Sequence, residues 1–358
     1  MSDAKNRYGL TAARTHNRVG KARRPSCPTI DVHCHIVVPQ AGAHAGPHVD
    51  FSKIPLAHYA NEPTKLVNAV QDKDRAEIMY KDLDGRLKDM DAMGIDIQVV
   101  APAPMQCYYS IDPKIAAEAH ELANEGVAAY IARQPDRFAG LGVVTLQEPA
   151  RAAEELERAM KTYGLKGVQI ITNVNGEELS DPKFWPFFAK AEQLGAFIVI
   201  HPNGFTEGRR FTNYYFSNVI GNPLDTSVAL HNLIFGGTLA RFPDLKIMAV
   251  HGGGYLAAYS GRIDHAWGAR EDCHAGLPLP PSHYLRQVYF DTVVFSSHQL
   301  AYLIETFGAD RILMGTDYPF DMGEYDPIGH IAGVRDMDDT TMRMLASENA
   351  IRLLGIKV

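Results

Sequence analysis

Short runs of Ile and Val recur along the chain, separated by longer amphipathic stretches. The run Ile95-Asp96-Ile97-Gln98-Val99-Val100 alternates apolar and polar, whereas Ala196-Phe197-Ile198-Val199-Ile200 is continuously apolar. Both read as short Ile- and Val-rich strands of a parallel sheet. Strands are expected at residues 30–35, 95–100, 138–144, 168–171, 196–200, 246–250, 288–291 and 311–314. Helical periodicity marks residues 78–93, 113–132, 150–163, 182–194, 226–241, 255–267 and 298–307, and a closing helix is expected over 340–354. Eight strands alternating with helices read as βα units around a parallel sheet. That count argues for an α/β fold of the (β/α)8 TIM-barrel type rather than an open doubly wound sheet.

Two stretches break the rhythm. Residues 1–28 form a polar, basic arm with Lys5, Arg7, Arg14, Arg18, Lys21, Arg23 and Arg24 against one acid, Asp3. It is expected to be loose or to lie on a neighbouring subunit, and the barrel domain to occupy residues 29–358. Residues 37–77, rich in Pro, Gly and His, form an insertion too long for an ordinary βα connection, so they are expected to cover the site or build an interface.

Composition narrows the function. With 46% hydrophobic and 22% charged residues the 358-residue chain reads as a soluble globular protein. A formal charge of −7 gives no basic face for nucleic acid, and no apolar run is long enough to span a membrane. Cys27, Cys34, Cys107 and Cys273 show no paired spacing for a zinc ribbon or disulfide framework, which fits a reducing cytoplasm.

The candidate chemistry lies at strand ends. In Ile30-Asp31-Val32-His33-Cys34-His35, residues two apart share a strand face, so His33 and His35 project together. His201 ends the fifth strand, His251 the sixth, and Asp317 follows the eighth. Active sites of such barrels sit at the C-terminal strand ends, where all five fall. Any one alone reads as a polar strand end or, for Asp317, a turn or helix cap; five on one rim read as a site. Three imidazoles and a carboxylate suit Zn²⁺ or another first-row ion such as Mn²⁺. His33, His35, His201 and Asp317 are assigned to the metal. His251, followed by Gly252-Gly253-Gly254, is assigned to acid–base work. A second ion would need a bridging ligand after strand four; Lys166 precedes that strand, and Thr172, Asn173 and Asn175 bridge poorly, so one ion is expected.

The ordered blocks His33/His35, His201-Pro202, Gly221-Asn222-Pro223-Leu224-Asp225-Thr226, Phe242-Pro243-Asp244-Leu245-Lys246, His251-Gly252-Gly253-Gly254 with Gly261-Arg262, and Gly315-Thr316-Asp317-Tyr318-Pro319-Phe320 resemble the amidohydrolase superfamily. They are most similar to its branch of non-oxidative decarboxylases, which includes carboxymuconate-semialdehyde and γ-resorcylate decarboxylases. The resemblance runs from about residue 29 to the C-terminus. It implies a metal-dependent decarboxylase of a small hydroxyaromatic or muconate-semialdehyde-type carboxylic acid, with Asp317 or His251 moving the proton. The superfamily alternative is a mononuclear hydrolase of an amide, ester or lactone, or a hydratase; a non-catalytic metal-binding or assembly protein is a third reading, against which His251 and Asp317 count. The resemblance also implies that Arg262 reaches a substrate carboxylate across a homodimer or homotetramer interface, and that Arg75 supplies a second carboxylate contact. Read without it, Arg262 is a surface arginine on a helix. Asn203 and Gly204 stand where the branch carries a tryptophan.

Overall fold

The computed structural model describes residues 20–274 and 276–358. Eight parallel strands form the centre: β1 (Ile30–Ile36), β2 (Ile97–Pro102), β3 (Phe138–Gly140), β4 (Gly167–Ile171), β5 (Phe197–His201), β6 (Lys246–Ala249), β7 (Tyr289–Asp291) and β8 (Ile312–Leu313). Strands β1–β2–β3 and β4–β5–β6–β7–β8 pair in register as two parallel sheets. Single parallel bridges close both seams, Gly142 to Val168 and Cys34 to Tyr318. At the first, Gly142 N donates to Gly167 O at 2.9 Å and Gln169 N to Gly142 O at 2.8 Å. At the second, Val32 N donates to Met314 O at 2.9 Å and His35 N to Tyr318 O at 2.8 Å. Eight strands thus close into the barrel expected from the sequence.

The barrel interior is a compact apolar cluster including Ile30, Val32, Val99, Val199, Met248 and Leu313, and the closing helix adds Leu353 and Leu354. A larger cluster fills the layer between strands and helices. The helix Pro113–Ala132 shows how that layer forms. Asp112 caps it by accepting from Lys114 N, Pro113 starts it, and Ala116, Ala119, Ala123, Val127 and Tyr130 make the buried stripe.

Four helices differ from expectation: the one expected over 78–93 starts at Leu83, where Asp82 caps it by accepting from Gly85 N, and the other three differ for a backbone reason. The helix expected over 226–241 starts at Asn222 and breaks after Phe235, because Gly236-Gly237 turns the chain with Gly237 at φ 78°. The helix expected from residue 255 begins at Ser260, since Gly252, Gly253 and Gly254 all take positive φ. The closing helix is split into Asp339–Arg343 and Asn349–Leu354 by a π-turn at Met344–Glu348. The insertion after β1 is not loop throughout; it carries the helix Glu62–Arg75, none of whose residues is buried.

Residues 1–19 of the basic arm lie outside the described residues. The end of that arm packs on the barrel: Arg23 donates to Ala332 O at 2.9 Å and Arg24 pairs with Asp96. Among the described residues no helix is long and apolar enough to cross a membrane.

Candidate metal centre

β1 does not alternate simply. Asp31 pairs with Gln98 and Cys34 with Val100, so three steps on β1 face two on β2. This bulge resets the phase. Ile30 and Val32 join the interior cluster, yet His33 and His35 also point inward above them, while Cys34 packs outward. Asp31, fully buried, ties the bulge to the eighth strand end: it accepts from His33 N, Thr316 N and Thr316 Oγ1 at 3.1, 3.1 and 2.6 Å.

Asp317 is brought to the same place by a tight approach. Its N–H donates to His33 O at 2.7 Å, and it holds φ 58°. A side chain on Gly315 would bring its Cβ to 2.8 Å from the Cβ of His33, so only glycine fits there. His201 ends β5 and donates through Nδ1 to Pro202 O at 2.7 Å, leaving Nε2 as a lone pair. His33 donates through Nδ1 to Asp291 Oδ2 at 2.6 Å and likewise presents Nε2. Both Nε2 atoms are buried, and among the described residues neither has a hydrogen-bond partner. Asp317 Oδ1 lies 3.4 Å from His33 Nε2 and 3.1 Å from His35 Nε2.

One donor atom from each of His33, His35, His201 and Asp317 lies within 4.8 Å of the others, and all four residues are buried. Buried, unpartnered imidazole nitrogens facing a carboxylate are costly unless something occupies the space between them. The donor set fits a divalent first-row ion. His251 stands beside the four, with its ring 5.2 Å from that of His201 and Nε2 3.6 Å from Asp317 Oδ2.

The electrostatics agree for His35, His201 and Asp317, whereas His33 is drawn the other way by its two carboxylate neighbours. Burial pushes the imidazoles of His35, to about 4, and His201 toward the neutral form that can ligate. For His33, burial is outweighed by the carboxylates of Asp317 and Asp291, and the net shift is upward. Burial opposes ionisation of Asp317 too, but the imidazoles of His33, His251 and His35 hold its carboxyl well below the usual range.

Sequence reasoning missed Asp291. It ends β7, is fully buried, and accepts from His33 Nδ1, His251 N, Gly252 N and Val293 N. The rule that selected His201 and His251 points to it equally, since it is the last residue of its strand.

A cavity of about 440 Å³ opens above the cluster, lined by His201, Asp317, Arg75, Tyr215, Phe320 and Asn203 among others. Arg75, at the end of the Glu62–Arg75 helix, lies over the Phe320 ring at 4.8 Å, pairs with Asp72 at 2.6 Å and stands 4.0 Å from Asp321. Arg262 is exposed on the Ser260–Ala269 helix and does not line this cavity. Asn203 and Gly204 meet the insertion: Leu56 N donates to Asn203 O at 3.0 Å, and Gly204, at φ 82°, lies against the Pro55–Leu56 backbone.

A family model described as amidohydrolase matches residues 30–356. A 2-amino-3-carboxymuconate-6-semialdehyde decarboxylase of Dictyostelium discoideum is 34% identical over 276 residues, 77% of either chain. The solved 5-carboxyvanillate decarboxylase LigW of Sphingomonas paucimobilis superposes with a TM-score of 0.81 at 27% identity, covering 93% of this chain and all of that one. A 5-carboxyvanillate decarboxylase of Novosphingobium aromaticivorans, solved with manganese and 4-hydroxy-3-methoxy-5-nitrobenzoic acid, shares the fold with a TM-score of 0.80 at 24% identity over 92% and 97% of the two chains.

Proposed function

The chain belongs to the amidohydrolase family, and from that premise we propose which of its residues carry out a metal-dependent, non-oxidative decarboxylation. The substrate is a small hydroxyaromatic or muconate-semialdehyde-type carboxylic acid. One observation carries the assignment: Asp317 presents Oδ1 to His33 and His35 and Oδ2 to His251, with His201 converging on the same cluster, at the floor of a cavity that Arg75 lines.

His33, His35, His201 and Asp317 hold the ion. Three imidazoles and one carboxylate favour Zn²⁺; Mn²⁺, the ion bound by the Novosphingobium neighbour, is the alternative. When bound, a divalent ion orients the acid and its hydroxyl and stabilises the negative charge that develops on them. Arg75 pairs with the substrate carboxylate, exchanging Asp72 for it. Phe320 forms the apolar wall below the guanidinium. His251 and Asp317 Oδ2 share the proton and deliver it to the carbon that bears the carboxylate. The π pair of the enol or phenol forms the new C–H bond. The C–C bond to the carboxylate then breaks, its pair restores conjugation, and carbon dioxide leaves. Arg262 serves the cavity of a second copy in a homodimer or larger assembly, which sedimentation at micromolar concentration tests.

The experiment is a screen for carbon dioxide release from carboxylated phenols and muconic semialdehydes, run in deuterated and in heavy-oxygen water beside lactones and amides. Deuterium is expected at the carbon that lost carbon dioxide. Solvent oxygen in the product with no carbon dioxide would overturn the assignment in favour of hydrolysis. Metal analysis of the purified protein decides between zinc and manganese.

A further inference from the structure

Eight non-glycine residues hold positive φ among the described residues, and two of them, His251 and Asp317, belong to the centre described above. Tyr214 at φ 57° and Tyr215 at φ 60° are two in succession. Left-handed backbone costs a bulky residue on the order of 1–3 kcal/mol, and Asn or Gly would adopt it more readily. The turn sends the two rings opposite ways. Tyr214 is 87% exposed, whereas Tyr215 lines the cavity with Asp317, His201 and Arg75.

The surrounding loop is pinned. Asn61 Nδ2 donates to Asn213 Oδ1 at 3.2 Å, and Phe205, Phe211 and Phe216 pack along it, the first pair tilted and the second edge-to-face, with centroids 5.8 and 6.4 Å apart. Tyr215 is therefore held in place by its neighbours rather than by its own hydroxyl, for which the described residues supply no hydrogen bond. Burial and Asp321 raise the phenol further above its ordinary range, against the opposing charge of Arg75, so it keeps its proton at every working pH.

We propose that Tyr215 is a specificity-determining residue whose free hydroxyl donates to a second hydrogen-bond acceptor on the substrate, a carbonyl or aldehyde oxygen distinct from the carboxylate that leaves. Arg75 takes the carboxylate, and the phenol, a neutral donor beside it, reads the additional oxygen. The inference rests on the decarboxylase reading of the cavity and narrows its substrate class to acids carrying such an acceptor. Asp321, the nearby carboxylate, disfavours a second anionic group at the same place.

The test uses the full-length, zinc-loaded protein and binding rather than turnover. Salicylate is titrated against 3-, 4- and 5-formylsalicylate by calorimetry, with wild type and Tyr215→Phe. At least one formyl isomer should bind wild type more tightly than salicylate does. Tyr215→Phe should weaken that isomer roughly two- to twelvefold, the range of one hydrogen bond, while leaving salicylate affinity, metal content and melting temperature unchanged. Equal affinity of wild type and Tyr215→Phe for every isomer would overturn the proposal. So would an equal loss for salicylate and the formyl acids, or a fall in melting temperature that accounts for the loss, because either marks a wall residue. If none of these acids binds the wild type, the substrate reading itself fails and the Tyr215 assignment falls with it. Tyr214→Gly, which relaxes the turn without touching the cavity, should preserve the preference for the formyl isomer.

Discussion

Replacing Asp291 by asparagine tests how the centre is held. The carboxylate is fully buried and accepts four N–H groups: His33 Nδ1 at 2.6 Å, His251 N at 3.0 Å, Gly252 N at 2.8 Å and Val293 N at 3.1 Å. Burial opposes its ionisation, but His33 beside it holds the carboxyl below its usual range. An amide of the same shape has one accepting oxygen and one donating nitrogen. If the nitrogen takes the Oδ1 position, it faces the N–H groups of Gly252 and Val293. If it takes the Oδ2 position, it faces His33 Nδ1 and His251 N. Nδ1 must then become the acceptor, and the ring proton moves to Nε2, the atom that faces the other ligands. Either orientation weakens metal binding, one by displacing the ring and the other by blocking the lone pair. Loss of such a support for a ligating histidine costs about 10–100-fold in metal affinity, or about 1.4–2.7 kcal/mol. The unpaired N–H groups add about 1–3 kcal/mol of lost folding stability. Competition of Zn²⁺ between the protein and a chelator of known affinity reads the first number, and denaturant unfolding of the metal-free protein reads the second. If Asp291→Asn holds zinc within twofold of wild type, Asp291 does not set the orientation of His33 and the argument fails.

Three further outcomes follow from the same structure. His251→Ala should keep close to one metal ion per chain by elemental analysis while losing about 10²–10⁴-fold in rate, whereas His33→Ala should lose metal and activity together. His120, buried between Thr145 Oγ1 at 2.9 Å and Cys107 O at 2.8 Å, has its imidazole pushed down to about 4 by burial. Between that value and the unfolded pKa of about 6.5 the unfolded chain binds the extra proton, so stability falls as pH drops through this window; the stability difference between wild type and His120→Gln should narrow from pH 7 to pH 4. Gly204→Ala places a Cβ against the Pro55–Leu56 backbone at φ 82°, and should cost about 1–3 kcal/mol of stability and raise KM by loosening the insertion over the cavity; unchanged melting and KM would refute that contact.

Much of this was legible because strand ends carry it. His33, His35, His201, His251 and Asp317 stand at recognisable positions in a regular alternation, and the barrel brings those positions to one rim. Arg75 was placed by resemblance, and the fold puts it in the cavity wall. Arg262 was placed in the same way, but its exposure gives it no part in this chain's own cavity. The bulge in β1 was not legible. A bulge is a property of two strands, and nothing within Ile30–Ile36 says that β2 will answer three residues with two. Period-two reasoning still gave the right pair, since the phase resets before His33. It would have failed for Val32, which an unbroken strand places on the face opposite His33. Tyr215 was invisible for a related reason: its direction depends on a left-handed turn for which a Tyr-Tyr pair gives no signal.

The strained residues and the acceptors that hold them are one device. His251 at φ 56° and Asp317 at φ 58° each have their backbone N–H fixed, the first by Asp291 and the second by the carbonyl of His33. Asp291 also orients the His33 ring, and Asp31 ties the His33 backbone to Thr316 beside Asp317. The positions of the two proposed ligand atoms, on His33 and Asp317, and of the neighbouring imidazole are therefore coupled through two buried carboxylates, neither of which lines the cavity. A change at Asp31 or Asp291 should move metal affinity and turnover together, whereas a change at Arg75 or Tyr215 on the cavity wall should move substrate binding and leave the metal in place. That division separates the rigid floor of the site from its walls, and it explains why the donors were readable from the sequence while the substrate was not. The proposed donors sit at strand ends or, for Asp317, in the turn just past one, where the fold itself fixes them. The proposed substrate contacts, Arg75 and Tyr215, sit on the Glu62–Arg75 insertion and on the loop around the Tyr214-Tyr215 turn, and connecting segments of this kind are the ones that vary most between proteins of one fold.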